Sequence, residues 1–225
     1  MENTVLTDSA YEAILELILT AEIEPGSRIR EDQLAEKFGI SRTPVREAVN
    51  RLVQNGFVVN VKRKGLYCIQ ITKPDFLDLL DLRFTLESLA FKKCIELATK
   101  EDIAGLRELI SNFHYQYEYI RHNSGSAVRD AEKLHNFEDV KFHVQIARVS
   151  RSERLIRYIS EVENSLLLAR QRIYKRSESG KIIMLSWEQH TDMLDAIEAR
   201  DKESAARMFQ EHLKLMRDTQ IDAYD

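Results

Sequence analysis

Residues 31–52 read EDQLAEKFGISRTPVREAVNRL, and this stretch decides the fold of the first part of the chain. The segment 31–38 predicts a short helix that ends at Gly39, because glycine adopts a left-handed turn at little cost. Ser41 is a good N-cap for a second helix, which tolerates Pro44 in its first turn. The spacing therefore predicts two helices joined by a tight turn.

The flanking sequence completes a winged helix-turn-helix. Residues 9–21 place apolar side chains at helical spacing and predict a helix before the motif. The candidate caps of that helix are Thr7, Asp8 and Ser9. After the motif, FVVNV and LYCIQI predict two strands around the basic turn KRKG. We expect a domain of residues 1–72, with Thr72-Lys73-Pro74 as the linker that follows it.

The remaining residues, 73–225, predict an antiparallel bundle of about six helices, so the fold class is mainly α. Apolar residues recur every three or four positions throughout this region. The predicted spans are 75–98, 101–122, 128–149, 153–177, 181–199 and 202–221. Thr99 with Asp102 resembles a capping box, and the segment 123–126 (NSGS) is a break between helices.

Composition excludes several classes of protein. Two cysteines, Cys68 and Cys94, are too few for a disulfide scaffold and are typical of a reducing cytoplasm. No apolar run reaches the roughly 18 residues of a membrane span, and the start lacks the pattern of a signal peptide. We therefore expect a cytoplasmic protein with no membrane partner.

The charge distribution indicates a nucleic-acid partner. The net charge is −4, yet residues 37–72 carry seven basic side chains against one acidic side chain. Residues 1–36, by contrast, carry nine acidic side chains against two arginines. A local positive field is what attracts a phosphate backbone, whatever the sign of the whole chain.

The basic residues cluster where a winged helix-turn-helix meets DNA. The start of the second helix presents side chains away from its apolar stripe, in reach of base edges and phosphates of the major groove. The basic turn between the strands would reach the flanking backbone or the minor groove. The candidate DNA-binding residues are Ser41, Arg42, Thr43, Arg46, Lys62, Arg63, Lys64 and Gly65. The alternative is a winged helix that binds protein.

Two histidines reach one level of the predicted bundle. His190 and His212 lie on the apolar stripes of the last two helices, about ten residues before and eleven residues after the turn near Arg200-Asp201. At about 1.5 Å per residue both lie about 16 Å from that turn, so they can share an ion. The other histidines, His114, His122 and His135, lie in polar or irregular surroundings and are expected at the surface.

A third helix offers two more ligands. In FEDVKFHVQIARVS, Asp139 and His143 are four residues apart and occupy adjacent turns of one face. With His190 and His212 they form a set of three nitrogens and one oxygen, which suits zinc, nickel, cobalt, manganese or iron. The alternative is that each histidine is a hydrogen-bonded core residue.

The helix-turn-helix resembles a known family. EPGSRIREDQLAEKFGISRTPVREAVNRLVQNGFV, with the turn KRKG, is similar to the DNA-binding domain of GntR-family bacterial transcription regulators over residues 10–71, and SRTPVREA is its most specific part. The resemblance implies operator contacts from Arg42, Thr43, Arg46, Lys64 and Gly65. Some members also carry a DNA-contacting arginine just before the LAE stretch, where this chain has Asp32. That contact is therefore absent or replaced.

The helical region resembles the FCD effector domain of the FadR-like branch over residues 75–220. Many members of that branch hold a divalent metal through an aspartate, the histidine four residues on and two later histidines. These positions map onto Asp139, His143, His190 and His212. One departure is Ser152, where many relatives have asparagine. The resemblance implies a repressor that a metabolite releases from DNA.

The function expected from these features is regulation of transcription by a homodimer on a palindromic operator. A metal with open positions can bind a small carboxylate metabolite, assisted by Arg83, whose alternative role is an ion pair with Glu87. A metal-responsive regulator without an organic effector is the second hypothesis. A metal-dependent hydrolase is disfavoured, because no glutamate directly follows a ligand histidine to act as general base, as it does in HExxH.

Overall fold

The computed structural model of the protein describes residues 2–173 and 179–224. The chain divides into two compact units, Met1–Thr72 and Lys73–Asp225. Among the described residues, none of the helices is both long enough and apolar enough to span a bilayer.

The N-terminal unit contains three helices and a hairpin, as predicted. They are α1 (Glu2–Leu19), α2 (Glu31–Phe38), α3 (Arg42–Gln54), β1 (Val58–Val61) and β2 (Gly65–Cys68). The first helix begins earlier than predicted, so the candidate caps Thr7, Asp8 and Ser9 lie inside it. Thr7 and Asp8 instead join α1 to α3, because the Thr7 hydroxyl donates to Glu47 Oε2 at 2.9 Å and Asp8 pairs with Arg51.

The turn between α2 and α3 has the geometry that the sequence predicts. Gly39 ends α2 with a φ of 65°, in the left-handed region that glycine tolerates. Ser41 has the extended backbone of an N-cap, although its side chain makes no capping hydrogen bond within the described residues. One face of α3 is fully buried and packs on the unit's core, through Val45, Ala48, Val49 and Leu52.

The wing is a short antiparallel hairpin in which Val58 pairs with Cys68 and Val61 pairs with Gly65. Its strands are shorter than the predicted segments 57–61 and 66–71. Two residues at its tip have positive φ, Arg63 at 65° and Gly65 at 108°. This backbone displays the three basic side chains of the turn to solvent.

The C-terminal unit contains six helices within the described residues, which agrees with the predicted bundle. They are α4 (Lys73–Leu97), α5 (Lys100–Asn123), α6 (Ala127–Val149), α7 (Glu153–Ile173), α8 (Ser179–Glu198) and α9 (Lys202–Tyr224). Two of the predicted linker residues, Lys73 and Pro74, belong to the first turn of α4, where proline is tolerated. The last predicted positions of the span 153–177 lie outside the described residues.

Aromatic packing fixes the helices that carry the candidate site. Trp187 of α8 is fully buried and stacks on Phe113 of α5 at 4.1 Å between ring centroids. Phe91 of α4 stacks on Phe209 of α9 at 4.0 Å. The predicted capping box is present at the start of α5, where Thr99 and Asp102 bond each other's backbone. These contacts hold α8 and α9 at a fixed depth in the bundle.

Candidate metal centre and nucleic-acid interface

The start of α3 presents an exposed polar face. Arg42, Thr43 and Arg46 are exposed, whereas Val45 and Val49 on the opposite face are fully buried. Within the described part of the chain, neither arginine forms an ion pair. Their guanidinium groups are therefore available to an external anion.

The wing adds a second exposed cationic group. Lys62, Arg63 and Lys64 are exposed, and none of them pairs with an acidic side chain among the residues that the structure describes. Gly65 follows them in a backbone conformation that other residues rarely adopt. The structure thus places all of the candidate DNA-binding residues at two sites of one unit, the start of α3 and the wing.

The second site lies inside the bundle, where three helices bring together the four predicted metal ligands. Asp139 and His143 come from α6, His190 from α8 and His212 from α9. All four are buried, and one ligand atom of each lies within 4.8 Å of the others. The Nε2 atoms of His190 and His212 are 3.3 Å apart, as expected for two residues at one level of an antiparallel hairpin.

Neighbouring side chains orient the imidazoles toward a common point. The Nδ1 of His212 lies 3.0 Å from Gln189 Oε1, and the Nδ1 of His143 lies 2.8 Å from Glu87 Oε2. Since both partners are acceptors, each Nδ1 carries a proton, which leaves the lone pair of a neutral imidazole on Nε2. Such outer carboxylate and amide partners are what metal-ligating histidines ordinarily have.

The three histidines differ in the direction in which the protein shifts their pKa values. Burial lowers the pKa of His190 well below its ordinary value and, with the charge of His143, lowers the pKa of His212 to about 3. Burial also opposes the charge of His143, but Glu87 and Asp139 outweigh it and raise the pKa of His143 to about 9. Two imidazoles are therefore neutral at pH 7 and can donate a lone pair, while the third must lose a proton first.

The donor set fits a metal ion. Asp139 Oδ1 and His143 Nε2 are buried without a hydrogen-bond partner in the described parts of the chain. The two atoms lie 3.6 Å from each other, and Asp139 Oδ1 lies 3.7 Å from His190 Nε2, so the potential ligand atoms converge without hydrogen bonds between them. Three imidazole nitrogens and one carboxylate oxygen could hold a divalent transition metal.

The other oxygen of Asp139 belongs to a buried ionic network. Asp139 Oδ2 accepts from Arg83 at 3.4 Å and from Arg170 at 3.2 Å. Arg83 also pairs with Glu87 at 3.3 Å and with Glu163 at 2.8 Å, and Arg170 bonds Glu163 at 3.5 Å. Two guanidinium groups and three carboxylates thus lie together, each almost completely buried.

Arg83, predicted to bind an effector, therefore makes internal ion pairs, as its alternative role required. Burial alone would lower its pKa, but Glu163, Glu87 and Asp139 outweigh burial and raise it. Burial raises the pKa of Glu163 to about 7, against the two guanidinium groups. One carboxylate of the network is accordingly poised to change charge near neutral pH.

Sequence reasoning missed Glu163 and Arg170. Both lie on α7 beside the apolar stripe that includes Leu166, and they are seven residues apart, which is two turns on one helix face. Charged residues at that spacing within a buried stripe are the signal that identifies an internal ion pair. The same reasoning applies to Arg83 and Glu87 on α4.

The prediction for His135 was wrong. His135 is buried and accepts a hydrogen bond from Trp187 Nε1 at 3.1 Å. It lies four residues before Asp139 and therefore on the same face of α6, a spacing that the polar flanking sequence obscured. His114 and His122, by contrast, are half-buried and exposed respectively.

Family profiles match both units. The profile of the bacterial regulatory proteins of the gntR family matches residues 6–68, and that of the FCD domain matches residues 78–215. The second match alone covers more than half of the chain.

Known proteins give the same result. The Nta operon transcriptional regulator of Aminobacter aminovorans is 27% identical over 190 residues, which cover 84% of this chain and 82% of its own. The gluconate operon transcriptional repressor of Bacillus subtilis is 24% identical over 196 residues, 86% of this chain and 75% of its own. The structure of the E. coli protein McbR/YncC covers 98% of this chain and 99% of its own with a TM-score of 0.74 and 22% identity, which shows a shared fold.

Proposed function

We propose that this chain, which belongs to the gntR family of bacterial regulatory proteins and carries an FCD domain, is a repressor controlled by a small carboxylate at a metal site. That it is a DNA-binding transcriptional regulator and not an enzyme follows from its family. The proposal concerns the metal, the effector and the sign of the response. The observation that carries it is the buried Asp/His₃ group beside two buried guanidinium groups.

For the DNA-binding unit, we propose that Arg42 and Arg46 read base edges and that Thr43 and Ser41 contact phosphates. The exposed, unpaired state of both arginines supports this assignment, because a bidentate contact with guanine needs a free guanidinium. The wing residues Lys62–Gly65 would contact the flanking backbone. A single unit buries little DNA surface, so a homodimer on a palindromic operator in the cytoplasm is the expected assembly.

For the bundle, we propose that Asp139, His143, His190 and His212 hold one zinc, nickel, manganese or iron ion. The orphaned Asp139 Oδ1 and His143 Nε2 support this proposal, as do the outer partners Glu87 and Gln189. A bound ion supplies concentrated positive charge in a water-poor site. The protein's own part is to orient the four ligands and to keep His190 and His212 neutral, while His143 would give up a proton when the ion binds.

The effector class follows from charge. With neutral histidines and an ionised Glu163, the five network residues carry two positive and three negative charges, so a divalent ion leaves the site with one excess positive charge. An anion of low charge would neutralise that excess, and buried charges are tolerated only when compensated. Arg83 and Arg170 would donate to it after Glu163 releases them. A small carboxylate is the effector that matches this chemistry.

Control of DNA binding then follows from linkage. An effector that changes the packing of the bundle changes operator affinity, and DNA must change effector affinity by the same factor. One relative is named a repressor, which supports release of DNA as the response.

The test measures DNA affinity with and without the metal and a carboxylate panel. We would first use the wild-type protein to select a duplex from random-sequence DNA. Fluorescence anisotropy would then measure the affinity of three protein samples for that duplex. The first sample is stripped of metal by a chelator, the second is reloaded with each metal, and the third is reloaded and given citrate, lactate, gluconate or acetate. We expect one carboxylate to weaken binding at least about fivefold in the loaded protein and not in the stripped protein. The double variant His190→Gln/His212→Gln should bind DNA, retain no stoichiometric metal and lose the response.

The matched control is His114→Gln/His122→Gln, which makes the same chemical change outside the cluster. It should keep the metal and the response. If metal alone changes DNA affinity and no carboxylate adds to it, the protein is a metal-responsive regulator without an organic effector. If the His190→Gln/His212→Gln protein keeps one metal per chain, the ligand set is wrong.

A further inference from the structure

Arg28 lies beside the wing in a short extended segment that forms a single β-bridge with β2. The Ile29 amide donates to Leu66 O at 2.8 Å, and the Cys68 amide donates to Ser27 O at 2.9 Å. An antiparallel bridge pairs Arg28 with Tyr67 of β2. Backbone bonds therefore hold residues 27–29 against the hairpin, whatever side chain residue 28 carries.

The side chain of Arg28 runs over the glycine at the start of β2. A Cβ built on Gly65 would lie 3.3 Å from the Nε and Nη2 atoms of Arg28, closer than side chains ordinarily approach. The absence of a side chain at Gly65 thus leaves room for the guanidinium next to the wing tip. Gly65 serves two purposes, since its φ of 108° also requires glycine.

No acidic side chain among the unit's described residues neutralises this guanidinium. Arg28 is exposed and forms no ion pair among the described residues, which is equally true of Lys62, Arg63 and Lys64 beside it. The first turn of α2, by contrast, carries Glu31 and Asp32, and Asp32 is exposed. The cationic surface of the unit therefore extends past the wing to Arg28 and not onto the first turn of α2.

We propose that Arg28 contacts a backbone phosphate of the DNA, beside the wing. The inference rests on the DNA-binding surface proposed above, because it needs the wing to approach a duplex. A preorganised, exposed and unpaired guanidinium next to three other cations is suited to a phosphate oxygen. The contact carries no sequence information and instead fixes how the wing lies on the backbone.

The experiment measures the salt dependence of binding to the duplex that the wild-type protein selects. Each phosphate contact contributes about −0.9 to the slope of log K against log salt concentration. Arg28→Ala should reduce that slope by about 0.9 for each protomer bound and weaken binding at low salt about tenfold for each protomer. Arg28→Lys should keep the slope, because a phosphate accepts a point charge.

The matched control is Lys37→Ala, which removes one exposed charge from the same unit. Lys37 pairs with Glu22 at 3.2 Å, so its loss should leave the slope unchanged. Arg28→Gln repeats the test with a neutral side chain of similar reach, in case the alanine variant fails to fold by circular dichroism. The proposal is overturned if Arg28→Gln behaves like Lys37→Ala, or if Arg28→Lys loses the slope as Arg28→Ala does.

The failure of this inference is distinguishable from failure of the proposed function. If Arg46→Ala loses binding while the Arg28 variants keep both affinity and slope, the assignment of α3 as recognition helix is supported and only the Arg28 contact is disproved. If the wild-type protein selects no duplex at all, both the proposed DNA-binding surface and the Arg28 contact are disproved.

Discussion

The two units use arginine in opposite ways. Arg42 and Arg46 on α3 are exposed and have no acidic partner within the described residues, whereas Arg83 and Arg170 in the bundle are buried among three carboxylates. An exposed guanidinium can give its full charge to an external polyanion, and it has little effect on the stability of the fold. A buried guanidinium must be neutralised inside the protein.

The comparison indicates that the exposed arginines of the N-terminal unit serve DNA binding, whereas the buried arginines of the bundle matter for stability. Removing an exposed arginine should change binding and leave folding intact. Removing a buried arginine should lower the free energy of unfolding, because it leaves carboxylates without a partner in a medium of low polarity.

The largest effect is expected from Arg170→Met. The substitution leaves Glu163 and Asp139 with one guanidinium instead of two, and breaking a buried ion pair in this way should lower the free energy of unfolding by about 3–5 kcal/mol. Urea denaturation of the metal-free protein at pH 7.5 measures it. Arg46→Met is the matched control and should stay within about 0.5 kcal/mol of wild type.

A double variant sharpens this prediction. Arg170→Met/Glu163→Gln removes one charge of each sign and should recover part of the lost stability. Equal stability of Arg170→Met and wild type would show that the bundle does not need the second guanidinium, and the contrast between the units would fail.

Arg46→Ala should have the next largest effect, on DNA affinity. Loss of a bidentate base contact should weaken binding by about 1–3 kcal/mol at each half-site, while the urea midpoint stays unchanged. Fluorescence anisotropy on the selected duplex measures it, with Lys37→Ala as the charge-matched control. Unchanged affinity of Arg46→Ala would contradict the assignment of α3 as the recognition helix.

The smallest effect concerns acid stability and His135. Burial lowers the pKa of His135 to about 4 from an ordinary value near 6.5, so below pH 6.5 the unfolded chain binds a proton that the folded chain does not. The free energy of unfolding should therefore fall as the pH drops from 6.5 toward 4, by roughly 2 kcal/mol at pH 5 from this residue.

His135→Gln isolates that contribution. The variant keeps an acceptor for Trp187 and should lose about 2 kcal/mol less than wild type between pH 7 and pH 5 in urea denaturation of the metal-free protein. An identical pH dependence in both proteins would mean that His135 is solvated in the folded state.

Sequence alone predicted the helices and the shared level of His190 and His212, because both follow from the spacing of apolar residues; the resemblance to the FCD domain supported adding Asp139 and His143 of α6. Positions such as Ile183, Trp187 and His190 recur at helical spacing, and all three are fully buried. Counting residues from the turn at Arg200-Asp201 was enough to place His190 and His212 at one level.

The ionic network was less accessible to sequence reasoning. Glu163 and Arg170 lie on one helix, but their partners Arg83 and Asp139 lie on two others, and a period cannot show which helices touch. His135 was misplaced for a related reason, since its polar neighbours Asn136 and Glu138 suggest an exposed stretch but are themselves buried. The early start of α1 depends on tertiary contacts of Thr7 and Asp8 with α3.

Asp139 divides its two oxygens between different tasks. One faces the imidazoles, and the other accepts from both buried guanidinium groups. If a metal ion and a small carboxylate bind as proposed, the ion would draw electron density from the first oxygen and weaken the second as an acceptor, so each ligand would favour binding of the other. The bundle would then change DNA affinity only when the metal ion and the carboxylate are both present, and neither alone would be enough.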